Sequence, residues 1–244
     1  LVAFSFAKMG LNWQVMMAVM LLPTIWYAWK MEQMEFPVTE RVANEVSDSE
    51  MYKELLNPLF IIITIAMLGT ATSELYINQY VDVLLKSVSD NAILILLITS
   101  GVMTFGRGFA APVVAKFSTT GMLLFSAVVT TIGLYMMGTM DGNMLFVSAF
   151  VFGIGVTYFW PTMIGFVATY LPKTGAVGMA VIGAAGMFAV SIYMQFMGGF
   201  YDELTANLTQ IEAGRKVIMT TLYIPVVLIV LFTGIHLYIR KSRA

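Results

Sequence analysis

Residues 58–80 read PLFIIITIAMLGTATSELYINQY, a run long enough to cross a lipid bilayer as one helix. Because an α-helix rises about 1.5 Å per residue, about 20 apolar residues cover the hydrocarbon core of about 30 Å. Six further stretches have the same character, and together they predict an all-α integral membrane protein. The seven predicted spans are about 13–29, 58–80, 92–115, 118–138, 143–168, 176–199 and 217–239.

The composition restricts the classes of function open to this chain. Of its 244 residues 59% are hydrophobic and only 11% are charged, a balance that no soluble fold of this size accommodates. The net charge of −1 provides no basic surface, so nucleic acid is not an expected partner. Cysteine is absent, which excludes disulfides and thiolate metal sites. No HExxH, phosphate-binding glycine-rich loop or GxSxG occurs, so the sequence predicts neither an enzyme nor a cofactor or metal.

The distribution of Lys and Arg predicts which ends of the spans face the cytoplasm. With a cytoplasmic C-terminus, eight basic residues lie on inner segments and four on outer ones, as the preference of Lys and Arg for the cytoplasmic side requires. The inner residues are Lys30, Arg41, Lys53, Lys116, Lys173, Arg240, Lys241 and Arg243, and the outer ones are Lys8, Lys86, Arg215 and Lys216.

The predicted spans divide the chain into four segments. Residues 1–30 are expected to end an N-terminal half, with its last transmembrane helix at about 13–29, and residues 31–57 form a cytoplasmic loop. Residues 58–239 form a six-helix transmembrane domain, and residues 240–244 a cytoplasmic tail. Since the chain opens on Leu1 rather than on Met, we expect it to be a piece of a longer protein.

The cytoplasmic loop contains one clear helix signal. Ser47 and Glu50 have the spacing of a capping box ahead of Met51, which predicts a short helix lying against the inner face of the membrane domain. Pro58 then suits the first turn of the next span, because a first-turn residue has no use for its N–H.

Two spans are interrupted by polar or helix-bending residues at matching depth. Spans two to four and spans five to seven form two three-helix units of similar length that enter the membrane from opposite sides, which is an inverted 3+3 repeat. The interruption in the first unit is TATSELYINQ at 70–79, and the one in the second is GIGVTYFWPT at 153–162. Paired interruptions of this kind are typical of the substrate site of a secondary transporter.

At these residues the chain resembles the C-terminal half of a major facilitator superfamily transporter, especially bacterial sugar-permease-like members. The matching stretches are the 74–79 region, FPVTERV at 36–42, YFWPTMIGFV at 158–167 and LPKTGAVGMAVIGAAGM at 171–187. The resemblance implies that span one is helix six of twelve, with spans two to seven as helices seven to twelve. It also implies a multi-pass protein of the bacterial inner membrane whose partners are the lipid bilayer, a small solute and the missing N-terminal half. The family's basic signature between helices eight and nine is reduced here to GRG at 106–108 and Lys116.

Glu74 is the residue on which a transport mechanism would depend most. It lies 16 residues past Pro58, about 24 Å along the helix, where a carboxylate facing hydrocarbon costs several kcal/mol. It is therefore expected to face the bundle interior and to serve in substrate binding and proton coupling, although a structural hydrogen bond to a neighbouring helix is the alternative. Thr70, Asn78 and Gln79 continue its polar stripe and are predicted to contact a sugar or similar polyol; interhelical polar contacts are the alternative for them.

Arg107 is the second charged residue inside a span. Its depth, about 22 Å from the outer face along a straight helix, differs from that of Glu74 by roughly 10 Å, so the sequence predicts no direct ion pair between them. A role in the inner gate, or snorkelling of the side chain to the inner boundary, is expected instead.

The second interruption supplies the remaining candidate residues. Pro161 is expected to bend span five and to take part in gating, because proline removes a helical hydrogen bond. Tyr158 and Trp160 are predicted to offer an aromatic surface to a sugar ring, with core packing as the alternative. Gln195, on the same face of span six as Ser191, is a weaker candidate for substrate binding.

The sequence favours a secondary transporter with alternating access, which carries a small polar solute and is coupled to protons as a symporter. A seven-helix receptor or retinal protein also fits the helix count, but a retinal protein needs a buried Lys, and span seven has Lys216 only at its outer edge. A structural or channel-like membrane subunit is a further alternative, which does not require paired interruptions.

Overall fold

The computed structural model describes residues 9–78, apart from 11, 36, 37, 39–41, 43 and 44, together with residues 93–243. Where it is described, the chain is helical and contains no strand. Contacts divide it into two units, residues 1–43 and residues 44–244. The described residues of the first unit include the helices α1 (Trp13–Val19) and α2 (Leu21–Glu32).

The second unit contains the remaining ten α-helices of the described chain. In chain order they are α3 (Asp48–Glu54), α4 (Pro58–Ala71), α5 (Ile93–Gly108), α6 (Ala110–Phe117), α7 (Thr119–Thr139), α8 (Met144–Thr157), α9 (Phe159–Tyr170), α10 (Gly175–Thr205), α11 (Gln210–Thr221) and α12 (Tyr223–Arg243). A π-helical turn, Thr72–Tyr76, continues α4, and a 3₁₀ turn, Pro172–Thr174, precedes α10.

Five segments of the described chain are long and apolar enough to cross a membrane, as expected of a multi-pass membrane protein. They are Pro58–Tyr76, Thr119–Thr139, Met144–Tyr170, Pro172–Thr205 and Gln210–Lys241. They correspond to the predicted spans two, four, five, six and seven. Span one, at 13–29, is divided at Met20, and span three, at 92–115, is divided at Phe109. α10 runs on to Thr205 and α11 begins at Gln210, so the connection between spans six and seven is short.

The divisions have one cause that recurs along the chain. At four places in the described chain a single residue separates one helix from the next, and in each case a proline is the third residue of the second helix. Proline has no N–H to donate to the carbonyl of the residue four positions earlier, and that residue is the last one of the first helix. The four prolines are Pro23, Pro112, Pro161 and Pro225.

The helices of the second unit pack around α7 and α4. α7 lies against α8, α9, α11 and α12, whereas α4 lies against α9, α10 and α12, and α5 packs on α8. The two backbones of α7 and α8 touch: a Cβ on Gly133 would lie 2.6 Å from Phe152 Cα, and one on Gly155 would overlap Thr130. Glycine is required at both positions because any side chain would force these two helices apart.

The loop helix forms as predicted. Ser47 is the N-cap of α3, its Oγ accepts the Glu50 N–H, and Glu50 accepts the Ser47 N–H in return, which confirms the capping box. Met51 is buried, and α3 packs on the 3₁₀ turn that precedes α10. Pro58 occupies the first turn of α4, as expected, and the side chain of Asn57 caps that helix.

Candidate functional site

The site begins at the π-helical turn that continues α4. The first interruption was predicted at 70–79, and the helix does change there, from α-helical geometry to a π turn over Thr72–Tyr76. A π turn inserts an extra residue into the helical ladder, and such turns occur frequently at functional sites. Glu74 lies in the middle of this turn with only 3% of its surface exposed, so the prediction that it faces the protein interior is confirmed.

Glu74 forms an ion pair with Arg107, which the sequence analysis did not expect. Arg107 Nη2 donates to Glu74 Oε1 at 2.7 Å. The expectation of no contact was wrong because it compared depths along straight helices and ignored the length of the arginine side chain, which extends well beyond its own helical turn. The side chain of Arg107 is 41% exposed, so one partner of the pair is buried and the other is accessible.

A second hydrogen bond holds Arg107 from the other side. Its Nε donates to the carbonyl oxygen of Thr157, the last residue of α8, at 3.0 Å. α5 approaches this point closely, since a Cβ on Gly106 would lie 2.6 Å from Thr157 Cγ2. The guanidinium therefore connects the π turn to the break between α8 and α9, which are the two interruptions that the sequence singled out.

Several buried oxygens near this pair have spare hydrogen-bonding capacity. Among the described residues, no partner donates to Glu74 Oε2 or bonds to Ser73 Oγ, its neighbour in the π turn. An unpaired carboxylate oxygen buried in protein costs free energy, and water, a proton or a polar solute would relieve that cost. The other buried hydroxyls without a partner in the described chain belong to Thr99, Ser126, Thr130 and Thr162.

Tyr193 of α10 connects the π turn to the break between α11 and α12. The rings of Tyr76 and Tyr193 meet edge to face with centroids 4.7 Å apart, and the Tyr193 hydroxyl lies 3.0 Å from Thr221 Oγ1. Thr221 is the last residue of α11, as Thr157 is of α8. Sequence analysis missed this connection, although one signal was present: both breaks have a threonine four residues before a proline.

The other predicted residues are distributed around the π turn and the first break. Thr70 is buried and donates to the Met67 carbonyl, Asn78 is half-buried, and Gln79 lies outside the described residues. Thr70 is thus satisfied within its own helix, and the described π turn has its spare hydrogen-bonding capacity at Glu74 and at the neighbouring Ser73.

The aromatic residues of the second interruption contact two different neighbours. Tyr158 is buried with its hydroxyl beside Gly106, on the side of Arg107, whereas Trp160 is half-buried against Gly186 of α10. Pro161 is exposed in the first turn of α9, and the break one turn before it confirms that span five is interrupted there.

Gln195 is exposed on α10, as is Ser191 on the same face. Neither joins the Glu74 and Arg107 group within the described chain. The described residues also contain no group of three acidic or histidine side chains able to hold a metal ion.

Comparisons with known protein families, with curated proteins and with solved structures gave no match for this chain.

Proposed function

We propose that this chain is part of a secondary active transporter for a small polar solute, with a sugar or similar polyol as the favoured class. The observation that supports the proposal is the Glu74–Arg107 ion pair, which is buried at its Glu74 end, together with the hydrogen bond from Arg107 to the Thr157 carbonyl. Through these two contacts Arg107 connects two interrupted segments of membrane-spanning length, Pro58–Tyr76 and Met144–Tyr170. Ionisable residues inside a membrane are expensive and are retained for function by default. In many transporters, interrupted helices that face each other within the membrane form a site that opens to alternate sides.

In this proposal Glu74 carries the coupled proton and Arg107 is its partner when the proton is absent. A neutral Glu74 no longer attracts the guanidinium as strongly, so Arg107 becomes free to change position. Ser73, Asn78 and the second oxygen of Glu74 offer hydrogen bonds to solute hydroxyls. The proposal includes a major facilitator type of architecture with a second, N-terminal half, in a bacterial inner membrane.

The test is transport by the polypeptide extended upstream through the reading frame that precedes Leu1. Proteoliposomes containing it should accumulate one solute of a labelled sugar and polyol panel when a proton gradient is imposed. Glu74→Gln should abolish uphill accumulation and leave solute exchange between the two sides measurable. Asp141→Asn is the matched control, since it disrupts the ion pair of Asp141 with Arg215, whose carboxylate is exposed. Uphill uptake that survives Glu74→Gln would contradict proton coupling at this residue.

The same proposal makes the chain alone incompetent for transport. A site between two halves needs both walls, so the 244-residue chain reconstituted by itself should show no saturable uptake. Saturable accumulation by the chain alone would contradict the two-half architecture and would favour a self-contained membrane protein.

Orientation is tested separately on this cysteine-free background. Single cysteines at Ser49 and Ser242 should be protected from an impermeant thiol reagent in intact cells, whereas a cysteine at Asn207 should react. Labelling at position 49 from outside would reverse the proposed orientation, which rests on the Lys and Arg distribution.

A further inference from the structure

The carbonyl group of Thr157 is available to Arg107 because of Pro161. In a continuous helix the carbonyl of one residue accepts the N–H of the residue four positions later. For Thr157 that residue is Pro161, which has no N–H. The helix stops at Thr157, and the carbonyl oxygen accepts Arg107 Nε instead, at 3.0 Å.

This bond and the bond to Glu74 together fix the plane of the guanidinium. Nε is held by Thr157 and Nη2 by Glu74, and these two nitrogens belong to one rigid planar group. A helical N–H on the Thr157 carbonyl would compete with Arg107 Nε for that oxygen, and the contact with Glu74 would then be the main constraint on a long side chain that is 41% exposed. The geometry of the ion pair therefore depends on the proline.

The break between α11 and α12 shows the same backbone without the arginine. Pro225 is four residues after Thr221, just as Pro161 is four residues after Thr157. In both places one residue separates the two helices. Each threonine also donates its hydroxyl to the carbonyl four residues earlier in its helix, Gly153 and Val217 respectively. Within the described chain, no side-chain donor reaches the Thr221 carbonyl, so this break is a natural control for the first.

We propose that Pro161 is a positioning residue for Arg107: by leaving the Thr157 carbonyl without a helical donor, it creates the acceptor that holds the guanidinium against Glu74. The effect of this arrangement on transport rests on the proposed function, whereas the arrangement itself does not. A movement of α9 that closed the break would release Arg107, so the second interruption and Glu74 are coupled through one side chain.

The experiment measures how fast the arginine-specific reagent phenylglyoxal modifies Arg107 in the full chain, held in lipid nanodiscs and mapped by mass spectrometry. Arg215, which is held by the Met140 carbonyl and by Asp141, is the internal reference in the same molecule. Pro161→Ala restores an N–H for Thr157 and should raise the Arg107 rate, relative to Arg215, by at least about tenfold, the factor that one hydrogen bond to a charged group represents. Pro225→Ala should leave the ratio unchanged, and Glu74→Gln should raise it.

Each other result counts against the proposal. An unchanged ratio in Pro161→Ala would show that Arg107 does not depend on the proline, and an equal rise in Pro225→Ala would show general loosening of the helices. An unchanged ratio in Glu74→Gln would show that Arg107 is not held at Glu74 at all. Because no solute is present, these results are independent of whether the protein transports.

A second variant separates the missing N–H from the proline ring and applies even if Pro161→Ala does not fold. Replacing Pro161 by the α-hydroxy acid analogue of alanine gives an ester, which lacks both the ring and the N–H. This variant should react as slowly as the parent chain, since the Thr157 carbonyl still has no helical donor. Fast modification of Arg107 in the ester variant would assign the effect to the ring and overturn the proposal.

Discussion

The breaks at Tyr158 and Leu222 have the same backbone design but different attachments to the π turn. At the first break, Arg107 connects the Thr157 carbonyl to Glu74 through two hydrogen bonds, one of them an ion pair. At the second, Tyr193 connects the Thr221 hydroxyl to Tyr76 through one neutral hydrogen bond and an aromatic contact. The same interruption of a helix thus provides a charged connection in one place and an uncharged one in the other. The charged one is the better candidate for a step that responds to a proton or a solute.

Removing the charged attachment should have the largest effect on stability. Arg107→Leu leaves the Glu74 carboxylate buried without its cation, and we expect a loss of about 3 kcal/mol, at the lower end for a buried pair because Arg107 is partly exposed. Unfolding in mixed micelles measures it. The double variant Glu74→Leu with Arg107→Leu should recover most of the loss, since it removes both charges. If the double variant is as unstable as the single one, the loss arises from packing rather than from charge.

α7 packs against both helices that lead into the breaks, α8 and α11, and the two interfaces should differ in their tolerance of a methyl group. Gly155→Ala places a Cβ against the Thr130 backbone, which cannot move aside, and should cost about 2 kcal/mol. Gly138→Ala meets the Met219 side chain of α11, whose flexible thioether can change rotamer, and should cost less than about 1 kcal/mol. Thermal unfolding of the two variants under one set of conditions tests the order. The reverse order would show that α7 is held more tightly to α11 than to α8.

The uncharged attachment should be weaker and separable into two parts. Tyr193→Phe removes the hydrogen bond to Thr221 and should cost about 1 kcal/mol, whereas Tyr193→Leu also removes the ring contact with Tyr76 and should cost about 1 kcal/mol more. Both variants should leave the phenylglyoxal reaction of Arg107 unchanged. A faster reaction in either would show that the two attachments are not independent.

The smallest effect is expected at α3, which precedes α4 and provides a reference for the two breaks. Hydrogen bonds from the backbone and side chain of Ser47 lower the pKa of Glu50 below its ordinary value. The ionised Glu50 carboxylate therefore stabilises the helix cap, and this contribution to stability is fully present at neutral pH. It is lost as the pH falls below about 4, the ordinary pKa of a glutamate, and through the lowered pKa of the folded state. Amide hydrogen exchange of Met51, corrected for intrinsic rates, should therefore speed up at acidic pH. In Glu50→Gln the corrected rate should not change over this range.

Sequence patterns predicted the local features of the site better than its long-range contacts. The capping box at Ser47 and the break ahead of Pro161 each follow from a few adjacent residues with a strong conformational preference. Their physical cause is local, so the sequence contains it directly. The breaks at Met20 and Phe109 had the same cause and were missed, because averaging hydrophobicity over about 20 residues conceals a single proline.

The ion pair could not be predicted in the same way. Whether Arg107 reaches Glu74 depends on how α4 and α5 are inclined and on which atoms compete for the guanidinium, and neither is contained in spacing along one helix. The contact between Tyr193 and Thr221 has the same origin, since it joins residues 28 positions apart on two helices. The repeated threonine and proline spacing was the one local clue to both connections.

The direct contact of α7 and α8 at Gly133 and Gly155 has a mechanical consequence. Helices separated by side chains can slide, because rotamers change at low cost, but two backbones that touch at two heights leave no such layer between them. We therefore expect α7 and α8 to move together as one rigid body. Bending of the unit would then occur at one-residue hinges such as Tyr158, between α8 and α9. A change in the two backbone angles of that residue would rotate α9 without disturbing α8.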